Sequence, residues 1–465
     1  MTAPAAPTLR RSLGLWACVA VVVGQIIGSG IFRSPAGVTD KLPGPFPLLL
    51  VWSAGGLFAL CGALSLAEVA SVYHQTGGVY VYLREAWGRL PAFLFGWAEL
   101  AIIRAASLGA ISTTFAEYAL RAFGYDVKVA PASQWVHYVA AGAIALTTLV
   151  NVVGVQWGSR VTNVTVVAKY GGLLFIAVLA LALGLPQAGG HYTPFHPAGS
   201  LSLAPFGLAL VSVLWAFDGW ADLSYMSGEV REPQRTLPRA LVIGTCLVLA
   251  IYLLANVAYL AVLPVDEIRR SPLVASTVAE RLIGQPGVIF VSITVVISTF
   301  GTLNGTLLTS PRVFFAMADD GLLFRQVGAV HARFHTPWVA IVLTGAVGVL
   351  FVLAGTFEQL ADIFVTALIP FYALAVASLY RLRRRPGYAP PFRAPLYPLV
   401  PTLFVLSTML LLLNGLLDAG ARLPSLAILG VIVCGIPVFH AAERRRAPGG
   451  RPVSRAGDGR PEVRP

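Results

Sequence analysis

Two short patterns interrupt long apolar stretches of the chain. Gly28-Ser29-Gly30 lies in the first stretch and Phe217-Asp218-Gly219-Trp220 lies in the sixth. Glycine weakens a helix interior by about 1 kcal/mol relative to alanine, so both patterns predict a helix break. At a break one half-helix offers free N–H groups, which attract a carboxylate, and the other offers free carbonyls, which attract an ammonium group. Two such breaks suit the zwitterionic end of an α-amino acid.

The pattern at 28–30 has a second interpretation, because small residues also allow two membrane helices to pack closely. The second break favours the transport interpretation. The interrupted stretches are the first members of two five-stretch halves of the chain. Interrupted helices at corresponding positions of two halves mark the binding site of many transporters, where irregular backbone lines a cavity.

Long apolar helices are needed to hold these patterns. Of the 465 residues, 57% are hydrophobic and 12% are charged, about half the charged fraction of soluble domains. Runs of about 20 apolar residues can cross a bilayer as helices. We therefore predict an all-α multi-pass membrane protein with about twelve spans, at 13–36, 46–72, 91–120, 134–155, 161–184, 205–228, 237–263, 287–316, 337–355, 358–380, 396–417 and 425–441.

The basic residues predict how this array is oriented. If the N-terminus is cytoplasmic, 23 of the 33 lysines and arginines lie in inward-facing loops and tails, and seven lie outside. Cytoplasmic loops carry such an excess. Scarce lysine beside abundant arginine, alanine and glycine favours a bacterial source, so we expect a bacterial inner membrane with both termini cytoplasmic. The net charge of +12 then suits anionic membrane lipid, and nucleic acid is not expected as a partner.

The spans divide the chain into five predicted segments. A polar and aromatic link at 74–90 predicts an amphipathic helix in the membrane interface. The segments are a cytoplasmic N-terminal tail at 1–12, a first five-helix repeat at 13–184, a second five-helix repeat at 205–381, helices 11 and 12 at 396–441 and a disordered cytoplasmic tail at 442–465.

Four longer motifs are spread along the chain. They are GQIIGSGIFRSPAGV at 24–38, ELAIIRAAS at 99–107, WAFDGW at 215–220 and STFGTLNGTLLTSPRVFFAMADDG at 298–321. Together they resemble motifs of the L-type amino acid transporter family, within the amino acid–polyamine–organocation superfamily, over about residues 13–440. The resemblance implies a LeuT-type 5+5 inverted repeat with helices 1 and 6 broken, followed by two C-terminal helices.

The resemblance also implies where an amino acid substrate would lie. Backbone N–H groups of Ser29 and Gly30 would hold its carboxylate, and carbonyls of Ile26, Trp215 and Asp218 would hold its amino group. Trp215 would close over the substrate as an aromatic gate. The predicted substrate-binding set is Ile26, Gly28, Ser29, Gly30, Trp215, Ala216, Phe217 and Asp218.

Lys169 lies inside an apolar span, where a charge costs about 2.5–3.5 kcal/mol to insert, so it requires a partner or a function. The resemblance places it where sodium-coupled relatives hold a sodium ion, and a fixed ammonium there would make sodium unnecessary. We expect Lys169 to link the first-helix break to Ser298 and Thr299 and to act in coupling or gating. Asn256 and Tyr259 resemble a seventh-helix motif that supports the same break.

Other charged residues have more than one interpretation. Asp218 is either a helix-capping residue or the partner of a basic substrate. Arg33 is expected to pair with an acidic group near the outer mouth, and Ala105 replaces the proline that often follows Arg104 in the family. Animal members often join a heavy chain through a cysteine between spans three and four. Residues 121–134 contain none, so no disulfide-linked heavy chain is expected.

The leading functional prediction is sodium-independent transport, by exchange or by uniport, of small or neutral L-amino acids through alternating access, with exchange favoured. One alternative is proton-coupled import of cationic amino acids or polyamines, and another is an amino acid sensor that does not transport. An enzyme is not expected, because no nucleophile–base spacing or metal motif accompanies the histidines and cysteines. No cofactor or metal is predicted, and the sequence indicates no oligomeric state.

Overall fold

The computed structural model describes residues 13–444 apart from positions 154, 325, 330, 332 and 335, and the predicted tails fall largely outside these residues. Its α-helices are numbered here in chain order: α1 Leu15–Ile26, α2 Gly30–Lys41, α3 Pro45–Val72, α4 Val79–Trp87, α5 Arg89–Ala98, α6 Arg104–Ala122, α7 Ala132–Val153, α8 Val155–Gly184, α9 Leu203–Phe217, α10 Pro233–Val262, α11 Val265–Arg270, α12 Val274–Ile283, α13 Gln285–Thr309, α14 Pro311–Asp319, α15 Trp338–Ala354, α16 Phe357–Leu382, α17 Leu399–Leu417, α18 Arg422–Val433 and α19 Gly435–Arg444.

The lengths of these helices confirm an all-α membrane protein. Within the described residues, ten helical segments are long and apolar enough to cross a membrane, and the bent pair α1 and α2 makes an eleventh. The apolar helix α15 has 17 residues and coincides with the ninth predicted span. The predicted count of about twelve therefore holds, while the division into two five-helix repeats stays a prediction.

The link at 74–90 forms a helix, α4, whose aromatic residues are covered by protein, while its location in the membrane interface stays a prediction. Its Tyr80 and Tyr82 are fully buried, and the helix packs against α5 and α16. Arg84 reaches across to the Asp320 carboxylate at 2.7 Å. The aromatic residues thus pack inside the protein.

The first predicted break is present between α1 and α2, whose axes bend by 41°. Ile27 leaves the helical conformation, with φ −75° and ψ 88°. Gly30 begins α2 at a point where two backbones touch, because a Cβ there would lie 2.3 Å from the Cα of Ala216. Glycine at this position allows the two broken helices, α2 and α9, to pack directly against each other.

The second predicted break follows α9. Asp218 is extended, with φ −67° and ψ 159°, and Gly219 has φ +106°, a conformation that favours glycine. A Cβ on Gly219 would also lie 2.7 Å from the carbonyl carbon of Gln25. The chain then continues as a 3-10 helix, Asp222–Glu229, so the half-helix after the break is tighter than the α-helix that the span pattern predicts.

A third irregularity lies in the span formed by α5 and α6 and has no counterpart in the sequence analysis. Residues Glu99–Ile103 form one turn of π-helix between these two helices. Such turns are rare and occur often at functional sites. This span packs against α13, α15 and α7, which places the turn in the protein interior.

Candidate functional site

A cavity lies between the two breaks, and its empty space measures about 380 Å³ including the part that opens to solvent. Six of the eight predicted substrate-binding residues line it, whereas Ala216 contacts Gly30 and Phe217 lines a neighbouring apolar cavity. The full lining is Gln25, Ile26, Gly28, Ser29, Gly30, Arg104, Ser107, Ile111, Trp215, Asp218, Gly219, Asp222, Thr302 and Thr306.

Two residues of the cavity lining, Ser29 and Trp215, carry polar side-chain groups. The Ser29 hydroxyl and the Trp215 indole N–H are buried and have no hydrogen-bond partner among the described residues. Buried polar groups are normally satisfied. The first N–H groups of α2 also lack intrahelical acceptors, as at every helix N-terminus, and they carry the positive end of the helix dipole. The wall at Ser29 and Gly30 therefore suits a carboxylate.

The carbonyls at the two breaks are joined by a residue that the sequence analysis did not identify. The Tyr252 hydroxyl, on α10, donates to the carbonyl oxygens of Ile26 at 2.9 Å and Ala216 at 3.0 Å. The Ile26 carbonyl also accepts from the Gly28 N–H at 2.8 Å, and the Trp215 carbonyl accepts from the Asp218 N–H at 3.3 Å. Tyr252 thus couples the two breaks through a single hydroxyl.

Lys169 lies behind the first break, only 1% exposed. Its ammonium donates to the carbonyl oxygens of Gly24 at 2.5 Å and Ile27 at 2.8 Å, and to the Thr302 hydroxyl at 3.2 Å. The carbonyls are those that the end of α1 leaves without intrahelical donors. A residue on α8 therefore holds the broken first helix against α13.

The contact with α13 differs in part from the prediction. Ser298 donates to the carbonyl of Ile27 at 3.4 Å, but Thr299 donates to the carbonyls of Val295 and Val296 in its own helix. Thr302 is the residue that reaches Lys169. Residues four apart share a helix face, so Thr302 lies one turn beyond Ser298 on the side of α13 that meets the break. Among the described residues the Thr299 hydroxyl bonds within α13 and not to Lys169, so its part in coupling or gating stays a prediction.

The seventh-helix pair has two different surroundings. The Tyr259 hydroxyl donates to the carbonyl of Ile31 in α2 at 3.4 Å, as a support for the first break requires. The Asn256 amide donates instead to the Tyr252 carbonyl at 2.8 Å, one turn back in α10. Asn256 therefore reaches the break through Tyr252.

The sequence was compared with known protein families and with individual proteins. The family model described as amino acid permease matches residues 13–436. The chain belongs to the amino acid permease family. The resemblance to L-type amino acid transporters is thereby confirmed. The activity of this family is amino acid transport, which agrees with the expectation that the chain is not an enzyme.

Relatives of this permease carry different names. The b(0,+)-type amino acid transporter 1 of Homo sapiens is 34% identical over 414 residues, which cover 88% of this chain and 83% of the relative. The serine/threonine exchanger SteT of Bacillus subtilis is 31% identical over 444 residues, covering 94% and 98%. The human cystine/glutamate transporter is 32% identical over 397 residues, covering 85% and 78%. Family membership alone therefore leaves the substrate open.

The predicted gate of the permease, Trp215, lies in an aromatic cluster. Its ring meets the edges of Phe357 and Phe364 with centroids 6.0 and 5.1 Å apart. The Arg33 guanidinium lies 5.2 Å from the centre of the Phe357 ring. A cation over an aromatic face is attracted to it, so the cluster connects the cavity to Arg33.

Arg33 pairs with acidic groups, as expected. Its Nε lies 3.1 Å from Glu117 on α6, and its Nη2 lies 3.0 Å from Glu358 at the start of α16. The same guanidinium donates to the Pro272 carbonyl at 3.2 Å. Arg33 on α2 thus contacts α6, the start of α16 and the segment at Pro272.

Asp218 does not cap the helix that follows it, because that helix begins at Asp222 and has no side-chain cap. The Asp218 carboxylate accepts a hydrogen bond from the Tyr372 hydroxyl at 3.1 Å. It lines both the main cavity and the apolar cavity that Phe217 and Trp220 share. The capping interpretation is therefore wrong, and the carboxylate remains available at the cavity wall.

Proposed function

We propose that this permease exchanges small or neutral L-amino acids across a bacterial inner membrane, without sodium, by alternating access. The observation that carries the proposal is the cavity between the two breaks. It presents the helix N-terminus at Ser29 and Gly30 together with the unpartnered Ser29 hydroxyl. This wall matches a carboxylate, and the carbonyls of the breaks match an ammonium group.

Sodium independence rests on Lys169. Its ammonium donates to two carbonyls and one hydroxyl at 2.5–3.2 Å, which are oxygen ligands of the kind that a small cation takes. The resemblance places a sodium ion of coupled relatives near this position. A covalently attached cation would fill the same role in every conformation, so no ion gradient would be required.

Exchange, in preference to uniport, has support in the relative SteT, whose printed name is serine/threonine exchanger and which aligns over 98% of its length. Small substrates suit a cavity of about 380 Å³ whose lining includes the bulky side chains of Trp215 and Ile111. The predicted cytoplasmic termini and the inner-membrane location belong to the same proposal.

Uptake into proteoliposomes tests the proposal. Purified permease is reconstituted, and entry of labelled alanine, serine and leucine is measured into vesicles loaded with unlabelled serine and into empty vesicles, in sodium and in choline buffer. We expect uptake that loading raises several-fold and that sodium leaves unchanged. Absence of uptake for every neutral amino acid, in loaded and empty vesicles alike, contradicts the proposal, and protein-free liposomes give the background.

A second candidate function is proton-coupled import of cationic amino acids or polyamines. The Asp218 and Asp222 carboxylates at the cavity wall favour it. Labelled arginine and putrescine, offered with and without an inward pH gradient, separate the two functions. Uptake that depends on the gradient would support the second function, and cationic substrates that neither enter nor compete would exclude it. A sensor would be stabilised by amino acids without any uptake.

A further inference from the structure

Arg104 is the one basic residue in the lining of the cavity, and it is surrounded by carboxylates. Its Nε lies 2.5 Å from Glu99 and its Nη2 lies 3.2 Å from Asp222. All three side chains are at most 3% exposed. Asp222 also accepts from the Gln25 amide at 3.1 Å. We call Arg104, Glu99 and Asp222 the Arg104 cluster.

The π-helical turn explains how Glu99 reaches Arg104. In an α-helix, residues five apart point to different faces. The π-turn Glu99–Ile103 closes with a hydrogen bond from the Arg104 N–H to the Glu99 carbonyl, and this five-residue spacing brings the two side chains together. Glu99 is fully buried and does not line the cavity, so its effect on a substrate passes through Arg104.

The charges around the cavity therefore disfavour a substrate whose side chain is negatively charged. Two carboxylates, Glu99 and Asp222, are bonded to the single guanidinium, and Asp218 adds a third carboxylate to the wall. The Lys169 ammonium lies behind the first break and is engaged by Gly24, Ile27 and Thr302. A second carboxylate on a substrate would meet an arginine whose charge is already balanced.

We propose that Glu99 and Asp222 neutralise Arg104 and thereby make the cavity reject amino acids with an acidic side chain. The proposal rests on the proposed amino acid transport and specifies its substrate class. Binding of the substrate carboxylate does not depend on the cluster, since it is expected at the α2 N-terminus beside the unpartnered Ser29 hydroxyl. Arg104 belongs to the same cavity lining as Ser29, so a substrate whose α-carboxylate is at Ser29 would lie in the field of the cluster.

Competition against labelled serine by asparagine and aspartate tests the proposal, because the two competitors have nearly the same shape and differ in charge. In the wild type we expect aspartate to compete at least about tenfold more weakly than asparagine. A unit charge felt over roughly 10 Å at an effective dielectric constant of about 20 gives an effect of that size. In Glu99→Gln the cluster changes from a net charge of −1 to zero, and we expect the difference to shrink about tenfold.

The control is Glu117→Gln. Glu117 is a buried glutamate of the same span that pairs with Arg33 and does not line the cavity. We expect the asparagine-to-aspartate ratio in this variant to equal that of the wild type. A merely structural role of Glu99 would lower uptake without moving the ratio, so the ratio separates the two roles.

Asp222→Asn provides a second variant in case Glu99→Gln does not fold, and it is expected to move the ratio in the same direction. Thermal stabilisation of purified wild-type permease by asparagine but not by aspartate gives a further readout. The proposal is overturned if aspartate and asparagine compete equally in the wild type, or if both folded variants keep the wild-type ratio. Wild-type vesicles that take up no neutral amino acid would instead contradict the proposed function.

Discussion

Replacing Lys169 by methionine removes the charge that holds the first break while keeping an unbranched side chain only one heavy atom shorter. The ammonium makes hydrogen bonds of 2.5, 2.8 and 3.2 Å to Gly24, Ile27 and Thr302. Each hydrogen bond to a charged group contributes about 1.5–3 kcal/mol, but desolvation of the buried ammonium costs several kcal/mol. The two effects oppose each other, so we expect a smaller change in melting temperature than the three bonds would give together.

The effect on transport is expected to be larger. Movement of the first broken helix depends on its attachment, and loss of one charged hydrogen bond, about 1.5–3 kcal/mol, corresponds to about 10- to 100-fold in an equilibrium. We therefore expect Lys169→Met to reduce serine uptake in proteoliposomes by that factor, or to change apparent affinity on one membrane face.

Lys128→Met is the matched control for this experiment. Its ammonium makes one exposed bond to the Arg270 carbonyl at 2.9 Å, so its kinetics should match the wild type. If Lys169→Met transports serine with unchanged affinity and rate on both faces, the lysine is only tolerated in the membrane. The role assigned to it in this account would then be refuted.

The remaining predictions concern single contacts at the breaks. Thr302→Val should weaken uptake because it removes an acceptor of the Lys169 ammonium. Thr299→Val should leave uptake near the wild-type rate, because the Thr299 hydroxyl bonds to a carbonyl of its own helix. Equal defects in the two variants would contradict this assignment. Trp215→Ala should shorten retention of bound serine, measured by dilution of preloaded protein, and unchanged retention would exclude a gate. Gly30→Ala should abolish uptake and lower stability by about 1–3 kcal/mol through its clash with α9, and a normal melting temperature with normal uptake would show that the helices can separate.

The helix breaks could be predicted because their causes are local. Glycines beside Ser29 and Asp218 weaken the helix wherever they occur, and the breaks lie at these positions. The length and apolarity of the spans are equally local, so the all-α membrane architecture was accessible from composition. The 3-10 geometry after Gly219 was not, because it depends on the close approach of Gln25.

Contacts between distant helices were the least predictable part of the site. The sequence placed Lys169 near α13, but it could not distinguish Thr299 from Thr302, which requires the rotation of that helix about its axis. Tyr252 was missed because tyrosine in an apolar helix carries no signal until its hydroxyl is seen between two broken helices. The amphipathic pattern at 74–90 predicts a helix with one apolar face. It does not reveal whether lipid or protein covers that face.

The Arg104 cluster had a partial signal in the sequence. Arg104 is a charge inside an apolar span, and such a charge requires a partner, but the sequence analysis did not identify Asp222 or Glu99 as that partner. The π-turn that aligns Glu99 with Arg104 has no sequence pattern of its own. A search for acidic residues at i−5 as well as i−4 from a buried arginine would have found the pair.

Thermal stabilisation of the purified permease by serine, serinamide and N-acetylserine tests the central claim most directly. If the two breaks recognise both charges of the zwitterion, serine should stabilise the protein by about 2.7 kcal/mol at 100 times its dissociation constant. Serinamide, which lacks the carboxylate, and N-acetylserine, which lacks the ammonium group, should give no stabilisation at the same concentration. Stabilisation by either derivative equal to that by serine would contradict the account.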